Sequence, residues 1–90
     1  MTVDVWATVA GVSPTIFRRE GYRFYFFSRE EARPHVHVQY ASGEAKFWIE
    51  PAVALAQNYG LSPRRLVAAL RLAREHQDEI RIAWKAHFGG

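Results

Sequence analysis

Apolar and polar residues alternate between residues 15 and 49, which is the pattern of strands with one buried face. Two short turn signals, each ending in glycine, divide this stretch into two predicted hairpins. The turns are Glu20-Gly21, between residues 15–19 and 22–27, and Ser42-Gly43, between residues 35–41 and 44–49. The sequence therefore predicts an antiparallel meander of about four strands.

Two-residue turns at these positions predict the pairing across each hairpin. The predicted pairs are Phe17 with Phe24, Thr15 with Phe26, Ile16 with Tyr25, Val38 with Phe47, Val36 with Ile49, and His37 with Trp48. Opposed residues must lie on the same face, and a slip of one residue would reverse every side chain. These registers pass that test because they separate an apolar face from a polar and aromatic one.

The two predicted faces differ in composition. The apolar face collects Phe17, Phe24, Phe26, Val36, Val38, Ala45, Phe47 and Ile49. The opposite surface, which we call the outer face, collects Arg18, Arg23, Tyr25, Phe27, His35, His37, Gln39, Lys46 and Trp48. We expect the apolar face to form the core and the outer face to carry the function.

A long helix is predicted after the sheet. Ser62 offers a capping oxygen, and Pro63 has a preset φ that suits the first helical position. A mostly apolar stripe then recurs at three- or four-residue spacing, formed by Leu66, Leu70, Ala73, Gln77, Ile80 and Trp84. The prediction is one helix from Pro63 to about His87, packed across the apolar face with Trp84 in the core.

The remaining segments are less regular. Residues 1–12 alternate valine or alanine with other residues and predict a short edge strand or an N-terminal arm. Residues 51–60 fit a short edge strand as well as a helical turn, and Pro51 cannot donate to a central ladder. The chain is therefore predicted to be a single α+β domain over residues 13–88.

Composition limits the classes of function. Ninety residues, of which 49% are hydrophobic, predict one domain with a small core. The absence of cysteine excludes disulfides and thiolate metal sites. No stretch reaches the roughly 20 apolar residues of a membrane span. We therefore expect a cytoplasmic protein without a membrane partner.

The net charge of +3 arises from residues 51–90, because acids and bases balance in residues 1–50. An acidic partner or a nucleic acid would be attracted to that C-terminal segment. A solvated helix face is the simpler explanation of the same charges.

His35 and His37 share one strand surface, because residues two apart point the same way. Such a pair can approach a zinc, copper, nickel or iron ion. A closed metal site needs a further ligand that the sequence does not place, so neither a metal nor a cofactor is predicted. The plainest alternative is that both histidines are hydrogen-bonded residues that support the loop at residues 28–33.

Three functional alternatives remain for the outer face. Its aromatic rings among cations resemble a base-stacking platform for RNA. Paired imidazoles can also act as acid and base in RNA cleavage, although histidines side by side on one strand do not flank a substrate. Tryptophan, tyrosine and arginine are typical anchors of a protein interface, with a homodimer or a cognate partner.

Four segments together resemble a small bacterial family of unknown function, DUF4160. They are Ser13-Pro14-Thr15-Ile16-Phe17-Arg18, Gly21-Tyr22-Arg23-Phe24-Tyr25-Phe26, Arg33-Pro34-His35-Val36-His37-Val38 and Gly43-Glu44-Ala45-Lys46-Phe47-Trp48. The resemblance covers about residues 13–88. It implies a partner protein in a toxin–antitoxin-type pair, and it brings no catalytic mechanism with it.

We predict a small cytoplasmic binding protein, one component of a toxin–antitoxin-like pair, that acts through the outer face. The predicted binding residues are Arg18, Arg23, Tyr25, His35, His37, Lys46 and Trp48. The alternative is a toxin that binds or cleaves RNA, with His35 and His37 as the candidate catalytic residues. A cognate small protein is the expected partner.

Overall fold

A computed structural model describes residues 14–27 and 32–89 of the chain. These residues form a five-stranded antiparallel sheet, with the strands adjacent in sequence order, followed by two helices. The elements are β1 (Thr15–Arg19), β2 (Tyr22–Tyr25), β3 (His35–Tyr40), β4 (Gly43–Trp48), β5 (Ala54–Tyr59), α1 (Pro63–Glu75) and α2 (Gln77–Phe88). The predicted α+β class is confirmed, but there are five strands instead of four and two helices instead of one long helix. The arm predicted for residues 1–12 lies outside the described residues.

The first hairpin turns at the predicted position. Glu20 and Gly21 both have positive φ, 54° and 86°, as a tight two-residue turn requires. Phe17 pairs with Phe24 as predicted. The predicted pairs Thr15 with Phe26 and Ile16 with Tyr25 are wrong, because a bulge at Ile16 places Thr15 opposite Tyr25.

The second hairpin turns one residue earlier than predicted, at Ala41-Ser42, where Ala41 has a φ of 52°. The predicted pairs are therefore wrong by two residues. The observed pairs are Val38 with Ala45, Val36 with Phe47, His37 with Lys46 and His35 with Trp48. A shift of two residues leaves every side chain on its predicted face, so the faces are right although the pairs are not.

Gly43 follows this turn and allows a close approach of two segments. A Cβ at Gly43 would lie 2.8 Å from the carbonyl oxygen of Gly60, which no real side chain tolerates. The glycine that marked a turn in the sequence is thus needed for packing between β4 and the end of β5.

The helical segment begins as predicted and breaks in the middle. The Ser62 hydroxyl accepts a hydrogen bond of 3.2 Å from the Arg65 amide, and Pro63 occupies the first turn. His76 leaves the helical conformation at φ −110° and ψ 19°. Its ring packs on Phe17, with centroids 4.5 Å apart, so a tertiary contact rather than a glycine or proline accompanies the break.

Both helices cover the apolar face of the sheet, and the core lies between the two layers. The buried core residues are Tyr22, Phe24, Phe26, Val36, Val38, Ala45, Phe47, Ile49, Val53, Leu61, Ala69, Leu72, Ala73, Ile80 and Trp84. Trp84 is therefore in the core, as predicted. Among the described residues, no helix has the length and apolar character that crossing a membrane demands.

Candidate functional site

The outer face consists of three rows of side chains that run across the strands. The arginine row contains Arg18, Arg23, Gln39 and Glu44. The central row contains Tyr25, His37, Lys46 and Gln57. The tryptophan row contains His35, Trp48 and Ala54. All seven predicted binding residues lie in these rows, so the fold brings them onto one surface.

Three of the four side chains in the central row are buried, contrary to our expectation of an accessible surface, and only Gln57 is exposed. Tyr25, His37 and Lys46 are only 3%, 6% and 8% exposed. The Tyr25 and His37 rings stack with centroids 5.4 Å apart, and the Arg23 guanidinium lies 4.3 Å from the Tyr25 ring centroid. These side chains are packed against one another, and little of them can contact a ligand.

His35 is the most deeply buried of the predicted site residues, at 1% exposure. Its Nδ1 lies 2.7 Å from the carbonyl oxygen of Arg33. Because a carbonyl oxygen only accepts, Nδ1 is the protonated nitrogen and donates this bond. The ring also packs on Trp48 and Trp84, with centroids 6.0 Å and 5.2 Å away. His35 thus holds the chain that enters β3.

The two candidate catalytic histidines touch each other. Their ring centroids are 5.3 Å apart at an interplanar angle of 81°, which is an edge-to-face contact. A phosphodiester cannot fit between rings in contact, so His35 and His37 cannot act from its two sides. His37 Nδ1 lies 3.8 Å from a Glu44 carboxylate oxygen, which is beyond hydrogen-bond distance.

Trp48 is half-buried and carries two cations over its ring. The Arg33 guanidinium carbon and the Lys46 ammonium nitrogen lie 4.0 Å and 4.7 Å from the ring centroid. Arg33 donates two hydrogen bonds, of 3.2 Å and 3.1 Å, to the carbonyl oxygen of Glu50. This fixes the guanidinium over the ring, where cation–π attraction holds both groups.

Two residues of like charge are cross-strand partners in the arginine row. Arg18 and Arg23 are direct cross-strand partners on β1 and β2, an arrangement that destabilises a sheet unless an anion compensates it. Arg23 Nε donates a 2.7 Å hydrogen bond to the Thr15 hydroxyl. Arg18 is exposed and forms no ion pair with the described part of the chain. The next residue in the row, Gln39, is also exposed.

An open cleft of about 410 Å³ lies beside the central row, towards β5. It is lined by Phe27, His37, Glu44, Lys46, Gln57 and Tyr59. Sequence reasoning missed Gln57, Tyr59 and Arg33. The first two lie in the segment that could not be assigned to a strand, and Arg33 had no signal except its position before Pro34. No group of three or more histidine, aspartate or glutamate residues suited to a metal occurs within residues 14–27 and 32–89.

Comparisons with known proteins agree with the sequence resemblance. A family model described as a domain of unknown function, DUF4160, matches residues 21–85, which is more than half of the chain. The match includes strands β2 to β5, all of α1 and most of α2. No curated protein and no solved structure matches the chain.

Proposed function

We propose that this chain, which belongs to the DUF4160 family, is a small protein-binding module for an acidic partner. The contact surface is formed by the arginine row together with Trp48. We further propose that the chain and this partner form a toxin–antitoxin-like pair. The family resemblance motivates the pairing, and the outer face supplies the surface.

The observation that carries the proposal is the exposed Arg18, which lies at one end of the arginine row and forms no ion pair with the described part of the chain. A carboxylate placed beside the exposed Arg18 would be attracted to its charge. Guanidinium groups bind carboxylates through two parallel hydrogen bonds. Glu44 is the acid of the same row, but Gln39 separates it from Arg23. A partner with an acidic segment would therefore fit this end of the row.

Trp48 supplies the apolar anchor of the proposed surface. Tryptophan and arginine are the residues whose loss most often costs binding energy in protein interfaces. The Trp48 ring is already held by Arg33 and Lys46. A side chain fixed before binding loses less conformational entropy on association, which favours affinity.

RNA binding remains the second candidate, because the same arginine pair suits a phosphate as well as a carboxylate. Base stacking, however, needs aromatic rings that are open to solvent. Tyr25 is 3% exposed, and the Phe27 ring packs on His37 with centroids 4.6 Å apart. Trp48 lies opposite the first residue of β5, and Tyr59, which is 55% exposed, is the last. Two rings at opposite ends of a strand do not form a row of stacking sites, so the arrangement favours a protein partner. The contact between His35 and His37 likewise weakens the case for RNA cleavage.

The test is affinity capture with the full chain as bait, at moderate salt, from a lysate of the native host. Three baits are compared: the wild type, the double variant Arg18→Glu with Trp48→Ala, and the control Arg64→Glu, whose charge change lies on an exposed position of α1. Half of each lysate is treated with ribonuclease. We expect one stoichiometric small acidic protein that survives ribonuclease, is retained by the control and is lost with the double variant.

Two outcomes would contradict the proposal. Capture of RNA without a stoichiometric protein would favour the nucleic-acid alternative. Equal capture of the protein by the wild type and the double variant would show that the outer face is not the interface.

The pairing claim has its own test, in which each protein is expressed alone and both are expressed together. Growth arrest by one protein, relieved by the other, is expected, and normal growth in all three cultures would reject the pairing.

A further inference from the structure

The two edges of the described sheet are protected to different degrees. Native edge strands usually carry charges or proline, which prevent pairing with another chain. β1 contains Arg18 and Arg19 and directly follows Pro14. β5 has the sequence Ala-Leu-Ala-Gln-Asn-Tyr, without charge or proline. It pairs only with β4 in the described sheet, so alternate residues direct their N–H and C=O groups away from the sheet.

β5 also exposes an apolar side chain on each face. Leu55 is 44% exposed and Tyr59 is 55% exposed. A bulge at Ala56 separates them. Leu55 lies opposite Phe47 of the apolar face, while Tyr59 lines the cleft of the outer face with Gln57. A neighbouring strand would gain hydrogen bonds along this edge and an apolar contact on both sides of the sheet.

The end of β5 is held in place before any partner binds. The Asn58 side chain accepts a 3.0 Å hydrogen bond from the Leu61 amide and donates one of 2.9 Å to the Leu61 carbonyl oxygen. The Tyr59 hydroxyl donates a hydrogen bond to the Gln57 side-chain oxygen. The bulge twists the strand, but these contacts fix the three residues that follow it. An edge strand that is already fixed loses little conformational entropy when another strand pairs with it.

We propose that β5 pairs antiparallel with β5 of a second copy of this chain, which joins two five-stranded sheets into one. A two-fold axis brings equivalent segments together, so a charged strand would meet its own charge. The net charge of the chain is +3, yet β5 is neutral. The Gln57 amide can both donate and accept, and Gln57 can therefore face its own copy across the axis. The neutral edge suits a second copy better than the cationic surface around Arg18 does.

The test is analytical ultracentrifugation of the full chain over a concentration series. The wild type is compared with Leu55→Lys and Tyr59→Lys, which place charges on the edge. Ile82→Lys is the matched control, because Ile82 is an exposed apolar residue, at 70%, on α2. We expect a wild-type dimer, a dissociation constant at least about tenfold higher for both edge variants, and a change below about twofold for the control.

Circular dichroism checks that each variant is folded. Tyr59→Lys changes a side chain that is 55% exposed, so it should keep the fold even where Leu55→Lys does not. Amide hydrogen exchange of the wild type gives an independent readout, with slower exchange in β5 as concentration rises. A wild-type monomer throughout the series, equal weakening by Ile82→Lys, or concentration-dependent protection confined to other elements would each overturn the proposal.

Discussion

The outer face has a closed part, whose side chains are buried, and an open part, which solvent reaches. The sequence pattern drew attention to the closed part more strongly than to the open one. The closed part contains Tyr25, His35, His37 and Lys46, all at most 8% exposed. The open part contains the exposed Arg18 and Gln39, the half-buried Trp48 and the edge strand β5. The histidines gave the strongest sequence signal, yet both are buried. In this chain, His35 is therefore a distinctive polar residue that the fold needs, since it is buried and bonded to the Arg33 carbonyl oxygen.

The largest expected effect concerns the closed part. His35→Ala removes a buried ring and leaves the Arg33 carbonyl oxygen without its donor. We expect the free energy of unfolding to fall by about 2–4 kcal/mol, measured by urea denaturation. Gln39→Ala is the control on the same strand, because Gln39 is exposed, and it should change stability by less than about 0.5 kcal/mol. Equal losses of stability in the two variants would show that the closed part and the open part of the outer face do not differ in their contribution to folding.

The second prediction concerns binding at the open part. Trp48→Ala removes the proposed apolar anchor and the ring that Arg33 and Lys46 contact. We expect the affinity for the captured partner to fall by more than about 2 kcal/mol, measured by calorimetric titration. Ile82→Ala, an exposed apolar residue on α2, should leave the affinity unchanged. Loss of affinity with the control would point to the helices as the interface.

The third prediction concerns the arginine row, where a substitution should raise the stability of the free protein by a small amount. Arg18→Ala removes a like charge opposite Arg23, so the free protein should become more stable by about 0.2–1 kcal/mol. The same variant should bind the acidic partner less tightly and with a weaker dependence on salt. Arg64→Ala on α1 is the matched control for stability. A destabilised Arg18→Ala variant would show that this arginine is needed for folding instead.

The smallest expected effect is a dependence of stability on pH. It arises from His87, on the helix side of the sheet. Burial lowers the pKa of His87 below its usual value of 6.5, and its ring stacks on Phe26 with centroids 5.8 Å apart. The unfolded chain therefore binds the proton more readily than the native chain. Stability should be fully present above pH 6.5 and should decrease as the pH falls from there towards the lowered native pKa.

His87→Gln should remove that part of the pH dependence, as measured by thermal unfolding between neutral and mildly acidic pH. An unchanged profile would mean that another group is responsible. Since His37 lies in the central row of the outer face and His87 contacts Phe26 of the core, this variant also separates the helix side from the outer face.

The sequence predicted the faces of the strands and the pair Phe17 with Phe24, but the other predicted pairs are wrong. Side chains alternate with period two, so the apolar face, including Val36 and Phe47, follows from the pattern alone. The same periodicity hides a slip of two residues. The turn at Ala41-Ser42 could not be found, because Gly43 looked like a turn residue and is instead required by its contact with Gly60. The alternation of side chains predicts which face of the sheet each residue lies on. The pairing between strands depends on the position of the turn.

Two further features depend on tertiary contacts. The break at His76 interrupts an apolar stripe that continues on both sides of it, and the accompanying contact with Phe17 comes from β1. The burial of His37 and Tyr25 arises from packing across three strands, which alternation along one strand cannot reveal. β5 was uncertain because Pro51 and a mixed composition weakened its pattern, so the cleft residues Gln57 and Tyr59 were missed.

The central claim is that the open part, and not the histidine pair, binds the partner. The most direct measurement is calorimetric titration of the captured partner against Trp48→Ala and His35→Gln, at a temperature at which circular dichroism shows both variants folded. We predict that Trp48→Ala weakens binding by about 30-fold or more, while His35→Gln changes it by less than about threefold. Strong weakening by His35→Gln with an unchanged Trp48→Ala would contradict the account and return the function to the histidines.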